Sequence, residues 1–150
     1  MSNFLTSNSG PLKGSIKVPG DKSISHRSIM LGSIAEGVTR VSGFLEGEDS
    51  LATLNAFRDM GVQIERNGSN VVIHGVGMRG LNEPKNPLNL GNSGTSIRLM
   101  SGLLSAQNFD SKLCGDESLS TRPMGRVINP LREMGAEISG DESRPPLTIK

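Results

Sequence analysis

Tryptophan and tyrosine are absent, and phenylalanine occurs only four times. A platform that stacks nucleic-acid bases therefore has little material. An excess of one charge is missing too: 16 lysines and arginines face 15 acidic residues, for a net charge of +1. Phosphate-driven nucleic-acid binders carry a clear basic excess instead. The lone cysteine, Cys114, excludes an internal disulfide framework and an all-cysteine metal cage. Two histidines, His26 and His74, leave no histidine-rich metal site. No apolar run approaches the ~18 residues of a membrane helix. No positive charge precedes Lys13 and no apolar leader core follows the first residue, so no secretory signal is read. The expectation is a soluble, cytoplasmic protein with neither nucleic acid nor membrane as partner.

Glycine, by contrast, is plentiful, with 19 residues, while hydrophobic residues make up only 34%. That combination suits many short elements joined by tight turns. Apolar periodicity persists between the glycines, which argues against disorder.

The chain also resembles itself. Gly20-Asp21-Lys22-Ser23-Ile24-Ser25-His26-Arg27 aligns with Gly91-Asn92-Ser93-Gly94-Thr95-Ser96-Ile97-Arg98, a step of 71 residues. Phe57-Arg58-Asp59-Met60-Gly61-Val62-Gln63-Ile64 aligns with Leu131-Arg132-Glu133-Met134-Gly135-Ala136-Glu137-Ile138, a step of 74. Each copy reads β-α-β-α-β-β, an α/β fold of repeated βαβαββ units. In the first, a helix over 25–36 stops at Gly37, a strand covers 38–42, and a second helix capped by Asp49 or Ser50 stops at Gly61. Strands over 62–65 and 70–74 form a hairpin whose turn contains Asn67-Gly68. In the second copy, helices are predicted over 95–106 and 123–134, with Pro123 in the first turn and Pro130 expected to kink or split the second. Strands are predicted over 111–114, 136–139 and 147–150. A leading strand over 15–18 lies outside both copies. The strand at the last residue suggests a piece of something larger.

Both copies place a turn rich in glycine, serine or threonine directly before a helix. Helix starts leave N–H groups unpaired and carry partial positive charge, which suits anions. Either turn alone reads as an ordinary cap. Lys22, Ser23 and Arg27 together read as an anion site, because two cations at a helix start oppose the dipole and call for a counter-anion. The second turn offers Asn92, Ser93, Gly94, Thr95 and Arg98, and Arg122 precedes the next helix where it can face a ligand. Two such turns in equivalent positions suit one anionic ligand, or one ligand with two anionic groups. A nucleotide P-loop is rejected because Asp21 separates Gly20 from Lys22. Cys114 reads as a buried structural thiol, His26 as a helix-face residue beside the turn and His74 as a strand residue without a role. Glu48, Asp49, Asp116 and Glu117 read as loop or cap residues that make no acid–base pair.

The stretch from Pro19 to Arg27 closely resembles a signature of the enolpyruvyl transferase family. Leu90 to Arg98 and Gly115 to Met124 resemble two further signatures, and the similarity runs from about Leu12 to Lys150. The resemblance implies two domains, each of three βαβαββ units about a pseudo-threefold axis. Residues 1–19 would then be a leading strand of the other domain, 20–85 the first unit and 86–150 the second. It also implies transfer of the enolpyruvyl group of phosphoenolpyruvate to the 5-hydroxyl of shikimate 3-phosphate, with neither cofactor nor metal. By position, Lys22 would touch both substrates, Ser23 and Arg27 would hold shikimate 3-phosphate, and Asn92, Gly94 and Arg122 would hold phosphoenolpyruvate. The family's acid–base carboxylates would lie beyond Lys150, so this chain alone is expected to be inactive and to need the missing portion or self-association as partner. The sister branch that acts on UDP-N-acetylglucosamine carries a reactive cysteine where Glu117 stands, and an asparagine where Ser23 stands. A non-catalytic anion-binding module, or half of a split enzyme, is the alternative of a different class.

Overall fold

The computed structural model describes residues 3–8 and 10–150. The first helix, α1 (Lys22–Ile34), is capped by Asp21, whose Oδ1 accepts the Ile24 N–H at 2.7 Å. It starts three residues earlier than the apolar pattern predicts, because the cap lies in the polar turn itself. Strand β1 (Glu36–Val41) leads to α2 (Glu48–Asp59). The N-cap of α2 is Gly47, so Asp49 is not the cap; it sits in the first turn, where a carboxylate favours the helix dipole. Strands β2 (Gln63–Asn67) and β3 (Asn70–Val76) form the expected hairpin. Asn67 pairs with Asn70, so the turn residues are Gly68 and Ser69; Gly68 takes φ +54° at the first of them, as in II′ turns.

The second half contains β4 (Leu88–Asn89), α3 (Gly94–Leu104), β5 (Ser111–Cys114), α4 (Glu117–Ser120), α5 (Gly125–Glu133), β6 (Ile138–Ser139) and β7 (Leu147–Ile149). The short α4 has no counterpart in the sequence reading, and α5 begins after Pro123 with Met124 at its N-cap. Pro130 lies inside α5 without splitting it. Only one backbone bond is forfeited, and the Pro130 carbonyl still accepts the Met134 N–H at 3.1 Å. No strand forms over 15–18. Ile16 and Val18 are exposed there and their backbone enters no ladder.

The sheets run β1-β3-β2, all antiparallel, and β4-β5-β7-β6, in which β4 joins β5 in parallel. The orders β1-β3-β2 and β5-β7-β6 correspond. So do the ends of α2 and α5. Gly61 and Gly135 adopt φ +89° and +98°. Val62 N donates to Phe57 O at 3.0 Å and Ala136 N to Leu131 O at 2.9 Å, the long bond of a Schellman stop. Arg58 and Arg132 then reach the carbonyls of Ile64 and Ile138 respectively. Each arginine thereby ties its helix end to the strand that follows.

One apolar cluster runs through both halves, including Ile29, Leu54, Phe57, Ile73, Leu88, Ile97, Met100 and Ile128. Helix α2 packs against α1, β2 and β4, and α1 touches α3. The openings of α1, α2 and α3 are thus gathered by the packing of the two halves. Among the described residues no helix is long and apolar enough to cross a membrane.

Candidate anion-binding site

At the α1 opening, Gly20 presses against the chain: a Cβ there would lie 1.9 Å from the Gly43 carbonyl oxygen. Ser25 Oγ accepts the Leu45 N–H at 2.9 Å and donates to Asp21 O at 2.8 Å. These contacts anchor the turn that presents Lys22. Its ammonium pairs with the Asp49 carboxylate of α2; the Lys22 side chain is 54% exposed and that of Asp49 18%. Ser23 and Arg27 stay exposed on α1. Among the described residues Arg27, Arg98 and Arg122 have no carboxylate within salt-bridge distance.

At the α3 opening, Ser93 Oγ accepts the Ser96 N–H at 3.2 Å as the cap. Asn92 lies between two charged groups. Its Nδ2 donates to Asp116 Oδ2 at 2.8 Å, and its Oδ1 accepts from Arg122. Asp116 also accepts the Leu119 N–H at 2.7 Å, capping α4. That backbone donor first, and the Asn92 amide second, hold the Asp116 pKa below its ordinary value. Arg98 Nη1 donates to Gly94 O at 3.2 Å. A Cβ on Gly94 would lie 2.9 Å from Arg98 Nη1 and 3.0 Å from Arg122 Nη1. Two guanidinium groups therefore converge over a residue with no side chain, beside a helix start whose partial positive charge suits an anion.

The structure brings Asn92, Gly94 and Arg122 into one cluster and adds Arg98 to it. Lys22 joins Asp49 at the other opening. Between the two lies a buried polar group of His26, Thr53 and Ser96: His26 Nδ1 is 2.8 Å from Thr53 Oγ1 and 3.2 Å from Ser96 Oγ. Asp49, Thr53 and Ser96 were not legible as site residues, since Asp49 and Ser96 look like helix-start residues and Thr53 like an ordinary residue inside α2. The i, i+4 spacing of Asp49 and Thr53 on α2 was the available signal. Cys114 is half-buried; burial raises its thiol pKa, which disfavours a nucleophilic thiolate. His74 faces Glu65 across the hairpin at 3.6 Å and stands apart from these groups.

A sequence model of EPSP synthase (3-phosphoshikimate 1-carboxyvinyltransferase) matches residues 6–150. The chain belongs to the EPSP synthase family. It is 68% identical to the 3-phosphoshikimate 1-carboxyvinyltransferase of Ruthia magnifica over 150 residues, all of this chain and 34% of that protein. The enzyme of that name from Hydrogenovibrio crunogenus is 63% identical over 148 residues, 97% of this chain and 33% of its own length. The structure of EPSP synthase from Acinetobacter baumannii superposes with a TM-score of 0.87 at 63% identity, covering 91% of this chain and 32% of that one. The chain thus spans about a third of the length of the relatives it matches.

The electrostatics at His26 make a prediction. Burial lowers its pKa most, Lys22 lowers it further and Asp49 raises it. As the pH falls below ~6.5 the unfolded chain takes up the proton first. Stability is therefore full above that value and declines as the pH falls towards the lowered folded pKa. Lys22→Ala removes a depressing charge and leaves Asp49, so the His26 titration will move up and the decline will become shallower. Urea midpoints at about pH 7.5 and pH 5, with NMR titration of His26, check both. A flat wild-type profile with an ordinary His26 titration contradicts burial of a neutral imidazole.

Proposed function

We propose that this chain supplies part of the substrate cleft of a 3-phosphoshikimate 1-carboxyvinyltransferase. The reaction transfers the enolpyruvyl group of phosphoenolpyruvate to the 5-hydroxyl of shikimate 3-phosphate, by addition to a tetrahedral intermediate and loss of phosphate. Both substrates carry a phosphate and a carboxylate. The convergence of Arg98 and Arg122 over Gly94, beside a helix start, carries the reading, because such a cluster fits a small multiply charged anion. On this reading Asn92, the Gly94 backbone and Arg122 hold phosphoenolpyruvate, with Arg98 beside them. Ser23 and Arg27 hold shikimate 3-phosphate, and Lys22 touches both ligands. Asp49 orients the Lys22 ammonium. The physical contribution is to hold two like-charged reactants together against their repulsion and to fix their orientation. The exposed Ile24, Leu31 and Leu99 on the outer faces of α1 and α3 suit contact with the rest of such an enzyme. A cytoplasmic location belongs to the same reading and agrees with a single free thiol.

Calorimetric titration of the chain with shikimate 3-phosphate tests the proposal. Lys22→Ala and Arg27→Ala should each weaken binding by roughly ten- to a hundredfold, the range for a lost charge-assisted hydrogen bond. Unchanged affinity in both variants would overturn the assignment.

A further inference from the structure

His26, Thr53 and Ser96 come from three helices and are fully buried where those helices meet. Thr53 Oγ1 lies 2.8 Å from His26 Nδ1 and 2.5 Å from Ser96 Oγ, and Ser96 Oγ lies 2.7 Å from Ser93 Oγ. Thr53 also donates back along its own helix to Asp49 O at 3.2 Å. A hydroxyl has one hydrogen to give. With that of Thr53 committed to Asp49, its oxygen accepts from both His26 and Ser96. The His26 proton is then on Nδ1, and Nε2 is a buried nitrogen without a partner among the described residues. Ser93 donates to Ser96 and accepts the Ser96 N–H at 3.2 Å. Each hydrogen finds one acceptor.

The position of this cluster matters more than its strength. His26 is four residues after Lys22, Thr53 is four after Asp49, and Ser96 lies between Gly94 and Arg98. Each member therefore sits within a turn of a residue that faces the anion site. Apolar packing would also hold three helices together, but it has no preferred direction along their axes. Hydrogen bonds of fixed geometry set the register of one helix against the next.

We propose that His26, Thr53 and Ser96 are positioning residues that lock the α1 and α3 openings in register, holding the Lys22–Asp49 pair and the Gly94–Arg98–Arg122 cluster at the separation two neighbouring anions require. The inference rests on the anion reading above, but its structural part stands without a ligand.

Thr53→Val keeps the shape and removes the hydroxyl, while Thr53→Ser keeps the hydroxyl. In the isotope-labelled 150-residue chain, Thr53→Val should move the backbone amide signals of both residues 22–27 and residues 94–98. It should also shift the His26 ring from one Nδ1-protonated form to a mixture of tautomers. Thr53→Ser should leave both readouts near wild type. Affinity for shikimate 3-phosphate in the presence of phosphoenolpyruvate should fall about tenfold in Thr53→Val and recover in Thr53→Ser. Inorganic phosphate, which one opening can hold, should bind within about twofold of wild type throughout. The proposal is overturned if the amide signals of 94–98 stay in place in Thr53→Val, or if Thr53→Ser loses as much as Thr53→Val. If wild type binds neither organic phosphate, the anion reading fails while the amide and tautomer readouts still decide the register lock. Should the valine variant not fold, Ser96→Ala, which removes one hydroxyl and favours the helix, takes its place, read in the amide signals of residues 22–27 and in the affinity for shikimate 3-phosphate.

Discussion

Gly75→Val is expected to destabilise the chain by more than about 3 kcal/mol, beyond the usual cost of overpacking. Gly75 lies on β3 opposite Gly37 of β1, under the end of α1. A Cβ there would stand 2.2 Å from Ala35 O and 2.6 Å from Gly32 O. Both obstacles are backbone, so no rotamer change relieves them. The Gly77 N–H meanwhile donates to Ala35 O at 2.9 Å and holds the helix end down. Room for a side chain requires α1 to lift, which costs that bond and the seating of Gly32 against Thr39 and Ile73. The same helix carries Lys22, His26 and Arg27, so a partly folded variant would lose the site as well. A urea midpoint close to wild type would show that α1 does not sit on β3 in this way.

Phe57→Ala is expected to cost about 3–5 kcal/mol, the range for removing a buried phenylalanine. Phe57 has no exposed surface and belongs to the cluster that spans both halves. It lies four residues after Thr53 on α2, the helix that packs on α1 and β2 of its own half and on β4 of the other. The cavity left behind would border elements that cannot collapse without moving a sheet. One core implies one transition, so fluorescence-independent probes such as far-UV circular dichroism and amide signals from each half should lose structure together. A loss below about 1 kcal/mol, or two separate transitions, would show that α2 does not join the halves.

Signals that act within a few residues were legible. The stops at Gly61 and Gly135 depend on a left-handed φ that glycine tolerates, so they show as aligned glycines in the two copies. The β2–β3 hairpin follows from alternating residues around Asn67-Gly68, and β5 was read with its observed limits because Lys112 and Leu113 alternate between polar and apolar. Shorter elements escaped. Strand β4 is two residues long and exists only because β5 lies parallel beside it. The reverse holds at 15–18: an apolar alternation reads as a strand, yet no neighbouring strand supplies the hydrogen bonds.

The sequence by itself determined the repeat, the α2 and α5 stops at Gly61 and Gly135 and the cationic character of the two openings, because glycine turns and charges are properties of residues close along the chain. The stop read at Gly37 fails, since α1 ends at Ile34 and Gly37 lies within β1. Tertiary structure alone decided that Asp49 faces Lys22, that Arg98 and Arg122 converge on Gly94, and that His26 meets Thr53 and Ser96. Apart from Arg98, four residues after Gly94, those partners are 27 to 70 residues apart. Nothing in a serine, threonine or aspartate at a helix start distinguishes a solvated cap from a buried link. The difference arises only when packing removes the water and leaves each group to find its hydrogen bond in another helix.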